Sequence, residues 1–289
     1  PFLKVKRMGD NDISNFLVDD QSGITKTNAI GINFSDKYNN NTKLSFSYFF
    51  NQANNDNNKL VHRQYIGSEF QELFYNDNSY SKSTNINHRL NVKLECNIDS
   101  MNSILVQPRF TYQKNNGNSN SNNYYIMFDS IQSQVSSKYA SNVEAYNFKN
   151  EILYKHRFLK NGRTYSISLT NNNSQSKGKS YLYTFNDYIV TSFQQNQYAN
   201  IEKNENEMGA NIAYSEPLIK NSIFMIEYGT TYGKGKSDKK TFNYDNYDYS
   251  IVNDELSNII EKEYIKNNVA SSILFNDNIK NIVLKVHIC

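Results

Sequence analysis

Apolar side chains recur at every second position in stretches of about ten residues along most of the chain. Ile30, Ile32 and Phe34 form one such stretch, and Leu44, Phe46, Tyr48 and Phe50 the next. Ile86, His88, Leu90, Val92, Leu94, Cys96 and Ile98 precede Ile104, Val106, Pro108, Phe110 and Tyr112. The same alternation returns at Phe148, Ile152, Tyr154 and Phe158, then Tyr165, Ile167 and Leu169, and again at Met208, Ala210, Ile212 and Tyr214, then Phe224, Ile226, Tyr228 and Tyr232. Val269, Ile273 and Phe275, followed by Ile282, Leu284, Val286 and Ile288, close the series. Period two is the strand signature, and no helical period competes with it. Each pair of stretches brackets a short polar turn, near residues 39, 101, 161, 219 and 278, so the chain repeats at about 60 residues.

The alternate positions are polar: Asn87, Arg89, Asn91, Lys93, Glu95 and Asn97 on one strand, and Gln107, Arg109, Thr111 and Gln113 on another. A soluble sandwich also carries strands with one apolar and one charged face, but its turns are of similar length at both ends. Here short turns alternate strictly with long Asn-, Ser- and Tyr-rich connections over 51–84, 115–142, 177–203 and 234–265. Apolar-out, polar-in strands with short turns on one side and long loops on the other predict an all-β, antiparallel transmembrane β-barrel. About ten of its strands are expected here, with periplasmic short turns and extracellular long loops. Leu90, Val92, Ile167, Ile212 and Ile226 are then expected to face lipid, and Arg89, Asn91, Ser166, Asn211 and Glu227 the lumen. Pro108 lacks a ladder donor, so a bulge is expected there. Tyr48, Phe49, Phe50, Tyr124, Tyr125, Tyr181, Tyr183, Tyr228 and Tyr232 cluster at strand ends, as interfacial girdles do.

Composition sharpens this picture. Mean hydropathy is −0.74, and no apolar run approaches the 18 residues of a membrane helix. Disorder is excluded by 23 Tyr and 17 Phe with balanced charge. Asn, at 48 of 289 residues, takes over turn chemistry that 11 Gly and 3 Pro cannot supply. Two cysteines rule out a disulfide scaffold and a four-cysteine zinc site. A net charge of +3 gives no case for nucleic acid.

Several segments resemble the outer membrane protein β-barrel family of Bacteroidota, the barrel of TonB-dependent-receptor-like proteins. Gly23–Lys37 is similar to its "GI…G-x-N-[YF]-x-D-K" segment, and Leu44–Asn51 to its "SYFFN" element. Asn87-His88-Arg89-Leu90-Asn91, with Asp99, Asn102-Ser103-Ile104 and Pro108, resembles "NHR-x-N…D…NSI…P", and Lys160–Thr164 resembles the "K-x-GRT" hairpin. The resemblance runs over most of the chain from about residue 23. It implies location in the cell outer membrane, contact with outer-membrane lipid, and binding and import of a ligand whose identity is not legible. It also implies TonB as a partner, reached through N-terminal parts. Residues 1–22 are expected to be a preceding strand tail and loop, and 23–289 five hairpins. Signal peptide, regulatory-like domain and plug are expected outside this chain. The competing expectation is a non-transporting surface barrel, an adhesin or scaffold.

Candidate chemistry is sparse. His62, His88, His156 and His287 form no metal or catalytic spacing, and no GxSxG elbow is present, so neither a catalytic residue nor a cofactor is expected. The loop around Tyr244, Tyr247 and Tyr249 is acidic enough to suggest calcium. Ser250 stands where the sixth position needs glycine, so a solvated loop is expected, with its tyrosines as candidates to stack on a sugar or another ligand. Lys234, Lys236, Lys239 and Lys240 are expected to meet lipopolysaccharide phosphates or simply to solvate a loop.

Overall fold

The computed structural model describes residues 23–66, 73–219, 222–276 and 281–288. The expected strand tail and loop over 1–22, and Cys289, lie outside the described residues. The strands are β1 (Ile24–Asn39), β2 (Thr42–Tyr65), β3 (Leu73–Asn97), β4 (Asn102–Val106), β5 (Arg109–Met127), β6 (Ser130–Arg157), β7 (Thr164–Tyr188), β8 (Ser192–Ile219), β9 (Ser222–Asp245), β10 (Asp248–Val252), β11 (Asn258–Asn276) and β12 (Asn281–Ile288). All join one up-and-down antiparallel sheet in the order β1-β2-β3-β4-β6-β7-β8-β9-β11-β12, with β5 also between β3 and β6 and β10 on β9. Among the described residues β1 and β12 end that sheet, and neither pairs with the other.

β4 and β5 are one strand line broken at Gln107-Pro108. Both halves lie between β3 and β6, and the break is bridged by Val92 N donating to Pro108 O (3.0 Å) and Gln107 N to Glu151 O (2.8 Å). β10 is a short return at the tip of β9. Counted by line, ten strands remain.

The first three short turns fall where the periodicity places them, while residues 220–221 and 277–280 of the expected fourth and fifth lie outside the described residues. In the third, Gly162 sits at φ 89°, and Arg163 N donates to Lys160 O at 3.0 Å. A β-turn with a left-handed third residue takes glycine at that position. In the second, Asp99 Oδ1 accepts from the backbone N–H groups of Met101 and Asn102, each at 2.7 Å. The turn is thus held by a side chain in place of a glycine.

Most of the described part of each long connection is ladder. β2 and β3 keep register from Thr42↔Cys96 to Tyr65↔Leu73, and β6 and β7 from Arg157↔Thr164 to Ser133↔Tyr188. β6 and β8 reach 28 residues, against the roughly 9–11 a membrane crossing needs. Asn- and Ser-rich sequence has poor strand propensity, but a chain with a partner on both sides satisfies its backbone most fully in a ladder.

Along the longer strands the period of two persists while its character changes, and on β6, β7 and β8 its sense inverts. Near the short turns one face carries Ile30, Ile32, Phe34, Leu44, Phe110, Phe148, Ile167, Leu169, Met208, Ile212 and Ile226, all exposed. Farther along the same strands that face becomes charged, with Lys82, Glu144, Lys177, Lys179, Glu202, Lys234 and Lys236. There the opposite face becomes apolar or small: Tyr139, Val143, Leu182, Ala199 and Ile201 form a buried cluster, beside buried Ser141, Ser180 and Thr241.

The apolar belt also crosses the hydrogen-bonded rows at a slant. The row Ile32, Tyr48, Leu90, Phe110, Phe148 is apolar over its first strands, then continues as Asn173, Asn206, Lys234 and Glu263. A belt at constant height that cuts across register rows is what tilted, sheared barrel strands produce.

On the inner face, glycines of β9 make room for side chains of β11. A Cβ on Gly233 would overlap the Tyr264 ring, and one on Gly235 would stand 2.6 Å from Lys262 Cε. Both side chains therefore lie across β9 and reach β8, Tyr264 Oη donating to Glu207 and Lys262 Nζ to Glu205 Oε1 at 2.7 Å.

Candidate functional site

The upper inner wall carries an aromatic row that register alone assembles. Arg63, Tyr75, Tyr125, Ser133 and Tyr188 are successive partners across β2, β3, β5, β6 and β7. Tyr75 is buried, its ring 5.0 Å from that of Tyr125, and the Arg63 guanidinium carbon lies 5.8 Å from the Tyr75 centroid. Burial first, then the negative charge of Asp77, pushes the Tyr75 hydroxyl up to about 12, and Arg63 opposes the shift. Burial likewise raises Tyr125. Both phenols stay protonated at neutral pH, so each offers an apolar ring face and a neutral hydroxyl next to a fixed cation. That set suits ligands combining a flat ring or sugar with an acidic group. Tyr125 was legible in the sequence only as a girdle residue, and Arg63 and Tyr75 carried no sequence signal.

Below this row the inner wall is a chain of amides and carboxylates. Asn147 Nδ2 donates to Asn172 Oδ1 (2.8 Å), and Asn172 Nδ2 to Glu207 Oε2 (3.3 Å), which Tyr264 reaches from the other side. Asn91 Nδ2 donates to Ser47 Oγ at 3.2 Å on the same face.

Two of the three loop tyrosines singled out in the sequence come together, on the outer face. The Tyr244 and Tyr249 rings are 5.2 Å apart, and Tyr249 also meets Tyr181 (5.8 Å) and Tyr198 (5.9 Å). Tyr249 Oη donates to Asn196 Oδ1 at 2.8 Å, and Tyr198 stacks on Phe242. Tyr247 stands apart in the tip turn, 94% exposed.

The four lysines do not share a face. Lys234, Lys236 and Lys240 point outward and are exposed, whereas Lys239 lies on the inner phase opposite Ile201, 1% exposed. A side chain on that phase is turned away from the outer leaflet, so Lys239 drops out of the expected lipopolysaccharide group. Lys236 is already paired with Glu261 at 2.7 Å. His88 and His156 have packing partners: His88 Nδ1 is 2.8 Å from Tyr48 Oη, and His156 Nδ1 is 2.7 Å from Asn102 Oδ1.

At the short-turn end, outside the apolar belt, Glu216 gathers three donors. Arg163 binds it through Nε (2.6 Å) and Nη2 (2.8 Å), Lys160 through Nζ (2.7 Å), and Tyr214 donates its hydroxyl (2.6 Å). The Arg163 hydrogen bonds, then those of Lys160 and Tyr214, hold the carboxyl far below the usual carboxylate range. A depressed carboxyl stabilises the fold fully above its unfolded value, about 4.3, and loses that contribution as pH falls toward its folded value. The unfolding midpoint of the protein is therefore expected to exceed that of Glu216→Gln at pH 7, and the gap to shrink between pH 4 and pH 3. A gap that does not change with pH would show that the carboxylate charge contributes nothing.

No family model matches the chain, and no curated protein matches it. Among solved structures it is similar to the siderophore receptor PiuA from Acinetobacter baumannii, with a TM-score of 0.39, 8% identity, and coverage of 86% of this chain and 45% of that one. It is also similar to the ferric citrate transporter FecA in its unliganded form, with a TM-score of 0.32, 10% identity, and coverage of 92% and 42%. The chain thus spans less than half the length of either structure. At those scores and identities the likenesses carry no argument, and the architecture rests on the ladders themselves. The resemblance to the Bacteroidota barrel family rests on the motifs quoted for it.

Proposed function

We propose that this chain is part of the wall of an outer-membrane β-barrel that takes up a ligand in the manner of a TonB-dependent receptor. The inversion of the apolar phase within single strands carries this reading. A soluble sandwich keeps its apolar side facing its core along the whole strand. On β6, β7 and β8 apolar side chains face outward for about ten residues and inward thereafter, as expected if the surroundings change from lipid to water partway along the wall. So large an area of exposed Ile, Leu and Phe is otherwise an aggregation liability in a soluble protein. The inner wall supports passage of a solute, being lined by Asn, Ser, Glu and Lys. The Arg63–Tyr75–Tyr125 row supports a first binding station at its mouth. Coupling to TonB would run through parts of the protein upstream of this wall.

Cysteine labelling of intact cells tests the topology. A membrane-impermeant maleimide is expected to modify cysteines placed at Asn118 and Asp245 and to spare one at Asn161. Modification of the Asn161 position would invert the orientation, and modification of all three would exclude it.

The alternative of a surface scaffold or adhesin draws on the continuous ladders of the outer hairpins, which make a stiffer projection than loops would. Uptake and scaffolding separate on one measurement: accumulation of a solute in cells that depends on Arg63 and Tyr75.

A further inference from the structure

The outer face holds a groove of about 700 Å³ across β3, β5, β6 and β7, just above the level at which the apolar phase inverts. Its floor is short, with Asn118 and Ala140 in one row and Asn116 and Asn142 in the next. Long side chains close its two ends: Lys82 on β3, and Lys179 and Tyr181 on β7. All of these occupy the phase that carries Tyr112, Tyr146 and Phe148 lower on the same strands, so the groove opens sideways, toward the surroundings of the wall. Three strand spacings and a two-residue step along the strand separate the backbones of Lys82 and Lys179, about 16 Å. Among the described residues neither lysine has an ion pair; Asp56, the cross-strand neighbour of Lys82, accepts from Tyr80 Oη (3.3 Å), and the groove's other carboxylates are engaged elsewhere, Glu144 by Lys114 (2.6 Å) and Glu202 by Lys177 (3.2 Å). The ring of Tyr181, 47% exposed, forms a flat apolar side, and the asparagine amides supply donors and acceptors between the two cations.

Resting on the membrane reading above, we infer that this groove seats the phosphorylated sugar headgroup of a glycolipid of the outer leaflet. Position selects the occupant, because a cleft on the outer wall directly above the lipid belt faces headgroups and not the lumen. Chemistry selects the class: ammonium groups at either end fit a phosphate on each end of a disaccharide, and amides with a tyrosine face fit the sugar rings between. Lys234 and Lys236 lie outside this groove, on β9, and Lys236 is neutralised by Glu261.

The test uses the full-length protein extracted from outer membranes in detergent and incubated with bisphosphorylated lipid A, with bound lipid counted by native mass spectrometry. Lys82→Gln/Lys179→Gln is expected to reduce the bound fraction about tenfold. Ala140→Phe, which fills the floor and leaves both lysines, is expected to reduce it similarly. Lys234→Gln/Lys236→Gln is expected to stay within twofold of the parent, and dephosphorylated lipid A to bind as weakly to the parent as lipid A does to the double variant. Unchanged binding in either groove variant would overturn the inference. So would full displacement by millimolar inorganic phosphate, which would reveal a site for free anions. A protein absent from the outer-membrane fraction would instead refute the membrane reading, so the two failures are distinguishable.

Discussion

Val92→Arg is expected to impair assembly of the barrel by about 2–4 kcal/mol, the usual penalty for a cation at a lipid-facing midplane position. Asn91→Arg, one residue away, is expected to cost far less. Val92 is the partner of Phe46 on β2 and lies between Leu90 and Leu94 on the outward phase. Asn91 faces the other way, where its amide meets Ser47 and where Arg89 and Arg109 already stand. A guanidinium at 91 keeps access to water, while one at 92 must deform the bilayer or stay unsolvated. The heat-modifiable fraction of each variant, and its urea midpoint in lipid bilayers, read the difference. Equal losses at the two positions would rule out a membrane face on β3.

The second large effect concerns the sheet edges. Expressed and refolded alone, this 289-residue chain is expected to yield oligomers or aggregate in place of a monomeric, protease-resistant barrel. Among the described residues β1 bonds only to β2 and β12 only to β11, and β1 is exposed along its whole length. In hydrocarbon each unpaired backbone group costs several kcal/mol, so an open edge of this length cannot persist in lipid. In water the same edges invite strand addition from other copies. A monomer with high strand content and a heat-dependent gel shift would show that β1 and β12 find each other and close a ten-stranded barrel.

The belt and the short turns were legible because adjacent side chains there contrast strongly in polarity. Ile30, Ile32 and Phe34 against Asn33 and Ser35 leave little room for another reading, and Gly162 marks its turn directly. The upper ladders were hidden because the contrast there is one of size instead of polarity. In Gly178-Lys179-Ser180-Tyr181-Leu182-Tyr183-Thr184 small or buried residues alternate with long exposed ones, and in Gly233-Lys234-Gly235-Lys236-Ser237 glycine alternates with lysine. A hydropathy pattern scores both as loop. Lys239 was misplaced for the same reason, since one step along a strand moves a side chain to the opposite face. The Arg63 row and the Lys82–Lys179 groove join residues from several hairpins, and only a known register brings them together.

The unbroken outer ladders leave few places where extra chain could be added without breaking hydrogen bonds. Of the tips described, one is the two-residue turn Phe128-Asp129, both left-handed at φ 51° and 56°, and another is Asn246-Tyr247, with Asn246 at φ 50°. A foreign epitope inserted between Phe128 and Asp129 would stand clear of the sheet and replace a strained phenylalanine with freer backbone. The same epitope at Asn118 or Ser141 would have to split a ladder. The wall is in this sense a display scaffold whose attachment points are dictated by its hairpin tips.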